Sequence, residues 1–192
     1  MEVYSDWIFY ATTNHYLKKI HVREFCGISI SFLKSIIKFV KCPACLPHEI
    51  EAGVYNHQVK KHGIPWDYGF LSQEQFKWEL REEVSTSCQI YTYGKLNVQL
   101  FEDIGYEDVT DLSDHVPSIK TLVEVTPMLC GFDHPRTSCA VNIAAGLHRA
   151  IQPALLPRLE LSLLKVPPKD DVATIKVWRN DSTDGVLAPI WS

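Results

Sequence analysis

Apolar and polar residues change their period several times along the chain, and each change predicts an element. From Asn14 the apolar positions Leu17, Ile20 and Phe25 alternate with lysines, histidines and Arg23, which suggests a short amphipathic helix. Phe32, Leu33, Ile36, Ile37 and Val40 then recur at helical spacing, with Lys34, Lys38 and Lys41 on the opposite face, and predict a second helix whose stripe reads as plain core. A third begins at Leu46-Pro47, because proline suits the first helical turn, where the amide it lacks would be unpaired anyway. Leu46, Ile50 and Val54 line one edge of it, Glu49 and Glu51 sit near the positive end of its dipole, and Gly63 and Pro65 stop it.

Ser72-Gln73-Glu74-Gln75 is a capping-box pattern that opens a helix through Phe76, Leu80 and Val84. The period then falls to two. Cys88 to Phe101 alternates on both sides of Tyr93-Gly94-Lys95 and predicts a β-hairpin, and the acidic stretch Gly105 to Asp114 reads as loop. Helical spacing returns from Cys139 to Ile151, with Ala140, Ile143, Ala144, Leu147 and Ile151 on one face, and Pro153 and Pro157 end it. Leu159, Leu161 and Leu163 alternate with polar residues as in a strand, and Val172 to Trp178 suggests another. The expected fold class is α+β: a helical N-terminal half, a central β-hairpin, and a C-terminal helix plus short strands. The expected organisation is a single domain over residues 1–178 and a loose C-terminal tail over 179–192.

Composition narrows the function classes. With 192 residues, 46% of them hydrophobic and 22% charged, the chain can bury a real core. A net charge of -4 provides no basic field, so strong nucleic-acid binding is not expected. Six cysteines are few for a disulfide scaffold, and Glu2 and Asp6 interrupt any leader-like start, which points to a reducing, intracellular setting. The longest apolar run, Ile28 to Val40, is too short for a bilayer and is broken by Lys34 and Lys38, so no membrane span is expected.

Candidate chemistry begins with cysteine and histidine. Cys42, Cys45, His57 and His62 have a spacing at the edge of the two-cysteine, two-histidine zinc class, and would form a single finger. The chain has no second finger, and the segment after His62 lacks a basic recognition surface. Cys130, His134, Cys139 and His148 also cluster in sequence, but cysteine and histidine on a helix are more often buried filler than a catalytic pair. No G-x-S-x-G, phosphate loop or H-E-x-x-H occurs, and no nucleophile, base and orienting group can be assembled from the sequence. The expectation is a protein that is not an enzyme.

The segment SFLKSIIKFVKC followed by LPHEI resembles the RNA-silencing suppressor encoded by the first open reading frame of poleroviruses and enamoviruses. That family carries an apolar S-F-L-type helix, a cysteine, the F-box-like L-P-x-x-[LI] and a downstream proline; Leu46, Pro47, Ile50 and Pro65 match by position. Gln89-Ile90 through Val98, Leu100 and Asp103 is similar to its hairpin ending in an acidic pair. Phe132-Asp133-His134 through Ser138 and Asn142-Ile143-Ala144 resembles its C-terminal stretch. The resemblance implies an F-box-like segment at about residues 42–65, working in the host cell cytoplasm without a cofactor. Leu46 and Ile50 would anchor in an apolar groove of a host Skp-type adaptor of an SCF ubiquitin ligase, while Pro47 pre-forms the helix. Another surface would engage host Argonaute and promote its degradation. The alternative is a small intracellular zinc-binding protein using Cys42, Cys45, His57 and His62.

Overall fold

A computed structural model describes residues 6–16, 19–30, 34–42, 60–65, 68–126, 129–130, 134–151, 176–180 and 187–190. The chain opens with three strands rather than helices. β1 (Trp7–Tyr16) and β2 (Lys19–Ser29) pair antiparallel, and β3 (Ser35–Phe39) adds antiparallel to β2. On the other side β4 (Gln89–Thr92) runs parallel to β1, and β5 (Asp108–Asp111) parallel to β4. This five-stranded mixed core is extended by β6 (Lys176–Asn180) and β7 (Leu187–Ile190), giving the order β5-β4-β1-β2-β3-β6-β7.

Helices cover both faces of the sheet. α1 (Gln73–Glu83) and α2 (Lys95–Ile104) pack on one face, where Phe76, Leu80, Leu100, Phe101 and Ile104 meet Trp7, Phe9, Phe25 and Ile36. The Phe9 ring is the hub there, with centroids 5.1 Å from Phe25, 5.3 Å from Phe101 and 5.3 Å from Tyr106. Such aromatic pairs each add about 0.5–1.5 kcal/mol beyond the area they bury. On the opposite face α3 (Ile119–Glu124) and α4 (Ala140–Ile151) pack against Ile8, Cys26, Ile28, Ile37 and Phe39. α4 lies buried from Ala140 to His148. A Cβ at Gly146 would come within 3.1 Å of Leu122 Cβ, so glycine there permits α3 and α4 to approach closely.

This architecture overturns the helical N-terminal half, and the reason lies in where the strands are buried. A strand covered on both faces loses its alternation and reads as a continuous apolar run. All five residues of β3 are buried. Its period therefore mimics a helix, and Lys38, which a helix would set opposite the apolar stripe, is buried. Lys38 points under α1, where its Nζ lies 2.9 Å from Glu79 Oε2 and 2.6 Å from Glu83 Oε1, its side chain wholly shielded from solvent. Two carboxylates neutralise the one buried cation.

The central hairpin is also corrected. Its first arm is strand β4, but the second is helix α2, which buries Asn97, Leu100, Phe101 and Ile104 at helical spacing. Leu96 is half exposed, so the apparent alternation Leu96, Val98, Leu100 was not a strand face. Asn97 goes inside because its Oδ1 accepts the Ala11 amide at 2.9 Å. Gly94 does take a positive φ of 85°, but as the residue that opens α2 and not as a hairpin turn. Part of the expected acidic loop is β5, whose Asp111 Oδ1 accepts the Gly94 amide at 2.8 Å and the Ser113 amide at 2.9 Å. Two helices match the sequence reading: α1 with its complete capping box on Ser72 and Gln75, and α4. The alternating stretch Leu159 to Leu163 lies outside the described residues.

Candidate metal centre

β2 is an interior strand, so the side chains it sends toward α4 leave water completely. Glu24 is one of them, paired across the sheet with Thr12 and Phe39 and 0% exposed. The pairing with β1 slips between Thr12 and Thr13, leaving Arg23 as an extra residue beside Glu24. Arg23 is itself buried, and its guanidinium donates to the Val40 carbonyl at 2.9 Å and to the Pro65 carbonyl at 2.6 Å.

The Glu24 carboxylate meets the start of α4. Its Oε2 accepts the Ala140 amide at 2.8 Å, which satisfies one of the unpaired amides of the first turn and sets negative charge at the positive helix end. Its Oε1 lies 3.7 Å from Cys130 Sγ and 3.8 Å from Cys139 Sγ. His134 completes the group, and one donor atom from each of Glu24, Cys130, His134 and Cys139 lies within 4.8 Å of every other. All four residues are buried.

Neighbouring groups orient these donors. His134 Nδ1 lies 2.7 Å from the His62 carbonyl oxygen. A proton on Nδ1 donated to that carbonyl puts the imidazole lone pair on Nε2, the arrangement in which histidine binds metals. The Asn142 amide donates to Cys139 Sγ at 3.5 Å.

Without a cation Glu24 and Cys139 are held in their protonated forms. Burial pushes the Glu24 carboxyl up to about 8, with the Cys130 thiol adding to the rise and the Ala140 amide opposing it. Burial likewise drives the Cys139 thiol well above its ordinary value, and Cys130 and Glu24 raise it further. For His134 burial acts downward, but the hydrogen bond with Cys130 and the charge of Glu24 leave it net raised. A thiol so disfavoured as a thiolate, and closed from solvent, is a poor nucleophile. A dication would reverse the balance, because it compensates the charges that burial penalises.

The finger residues named from sequence fall elsewhere. Cys42 and His62 are buried, but neither belongs to the four-donor group; His62 contributes its carbonyl instead of its ring. Burial, then the nearby charges of Lys61 and Arg23, lower the His62 imidazole to about 4. Cys45 and His57 lie outside the described residues, as do Leu46, Pro47 and Ile50. Pro65 is described, and its carbonyl is the acceptor for Arg23. The spacing Cys130-x3-His134-x4-Cys139 was the available signal for the group actually formed, and its reading as buried filler discarded it. Glu24 gave no signal, being 106 residues from Cys130.

The shifts fix a sign for pH dependence in the absence of metal. Folded Glu24 keeps its proton up to about 8, whereas an unfolded glutamate releases it near 4.5, so its stabilisation fades as pH rises through that window. His62 acts oppositely, losing stability as pH falls from 6.5 toward about 4, which leaves 6.5 to 8 as the window governed by Glu24 and His134. Chelator-treated protein is expected to lose up to about 2 kcal/mol between pH 6.5 and 8 in urea unfolding; a flat or rising profile would contradict a proton-holding Glu24.

Comparison of the chain with protein-family models, with curated proteins and with solved structures finds no match.

Proposed function

We propose that the chain is a zinc-binding protein in which Glu24, Cys130, His134 and Cys139 hold a structural metal ion. The observation that carries this reading is the pair of sulfur-to-oxygen separations, 3.7 and 3.8 Å. Tetrahedral zinc, with sulfur at about 2.3 Å and oxygen at about 2.0–2.2 Å, sets that separation at roughly 3.5–3.7 Å. Two thiolates and an imidazole favour zinc over magnesium or calcium, which take oxygen donors. Four protein donors in a closed site match the structural class, because a catalytic zinc keeps a position open for water or substrate. With both thiols and the carboxyl ionised the donors carry three negative charges, which zinc and the α4 N-terminus offset in part.

The metal would join β2 to the segment that enters α4, tying a sheet strand to a helix more than a hundred residues away in the chain. The reading is non-enzymatic: the reactive groups of this cluster are spent as ligands. It also differs from the sequence-derived finger in every ligand.

Protein purified without chelator is expected to carry about one zinc per chain, and Cys139→Ser to carry far less. At free zinc a thousandfold above its dissociation constant the metal adds about 4 kcal/mol, and the pH dependence turns to a gain as pH rises, since the ligands must lose protons. Zinc-free protein from such a preparation, unable to take up added zinc, would remove the reading.

A second reading concerns what the fold serves, and its support is similarity of sequence alone to the polerovirus and enamovirus silencing suppressors, since the stretches likened to their helix and hairpin fold as β3 and as β4 with α2. In it, Leu46, Pro47 and Ile50, with Pro65 downstream, dock on a host Skp-type adaptor and direct host Argonaute to degradation. The metal donors lie elsewhere, so the two readings no longer compete for residues. A Leu46→Ala/Pro47→Ala double variant should lose adaptor binding and silencing suppression together; full retention of both would rule this reading out.

A further inference from the structure

We infer that Asn142 is the positioning residue of this metal site, its backbone amide set on one thiol and its side chain on the segment that carries the other. The inference rests on the zinc reading above and adds to it. Asn142 lies in the first turn of α4 and is 1% exposed. Its backbone amide donates to Cys139 Sγ at 3.5 Å. Its side-chain Oδ1 accepts the Leu129 amide at 3.0 Å, one residue before Cys130. The same residue thus touches one sulfur directly and anchors the backbone that delivers the other.

The amide is costly where it stands. Asn142 Nδ2 is buried and has no hydrogen-bond partner among the described residues. An orphaned buried donor costs about 1–3 kcal/mol, and asparagine is a weak helix former. Val141, Ile143, Ala144 and Ala145 around it are all buried, so an apolar side chain of similar size would suit the packing better. What leucine would lack is the acceptor for Leu129. The amide therefore holds the Cys130 segment in register with Cys139, and packing alone does not account for it.

Because the backbone donor to Cys139 survives any ordinary substitution, a side-chain change isolates the anchoring of Cys130. Asn142→Leu keeps the number of side-chain heavy atoms and removes the orphan, but also the acceptor, which leaves the buried Leu129 amide unpaired. Its metal-free form should fold and melt close to the wild-type temperature, one orphaned donor replacing another, while its zinc dissociation constant rises roughly 10- to 100-fold, as for partners that orient metal ligands elsewhere. Cobalt-loaded Asn142→Leu should also lose thiolate-to-cobalt absorption relative to the wild type. Should leucine overpack α4, Asn142→Ala takes its place in the same titration. Zinc affinity within about threefold of the wild type in a folded variant overturns the positioning role alone. A wild-type chain that takes up neither zinc nor cobalt overturns the metal reading and this inference together.

Discussion

The contact between Glu24 and the start of α4 is the constraint on which the rest of this face depends. A carboxylate on an interior strand would be intolerable in isolation, since burying an ion without compensation costs several kcal/mol. Here one oxygen takes the Ala140 amide at 2.8 Å and the other faces two sulfurs. That contact fixes α4 against β2, and α4 in turn fixes α3 through the close approach at Gly146. Among the described residues the opposite face carries the aromatic hub around Phe9 and no such donor group. One side of the sheet is held by aromatic packing with the ion pairs of Lys38, the other by packing around a polar knot of four donors.

How much of this could be read from the sequence follows from what each element shows to water. α1 is amphipathic and carries a complete capping box at Ser72, so its start and period were legible. α4 was legible because Ala140, Ile143, Ala144 and Leu147 keep helical spacing even though the polar face is missing. β3 and α2 were not. Burial of β3 on both faces erased its alternation, and the inward turn of Asn97 reversed the polarity pattern of α2. In each case a polar residue, Lys38 or Asn97, finds its partners inside.

The four-donor group was half legible. Cys130, His134 and Cys139 stand close in sequence, at a spacing that a loop and a helix start can close, but in sequence they read, with His148, as buried filler rather than a catalytic pair. Local spacing cannot supply the fourth donor, because Glu24 arrives through strand pairing. The same fact explains why His62 drew notice for the wrong atom: its ring nitrogens suggested a ligand, and its carbonyl orients one.

The central claim is that four side chains from two distant parts of the chain share one zinc ion. X-ray absorption at the zinc edge of the loaded protein reads that shell directly. The account predicts two sulfur neighbours at about 2.3 Å and two nitrogen or oxygen neighbours at about 2.0–2.2 Å. A shell of oxygen and nitrogen without sulfur, or of four sulfurs, would contradict it.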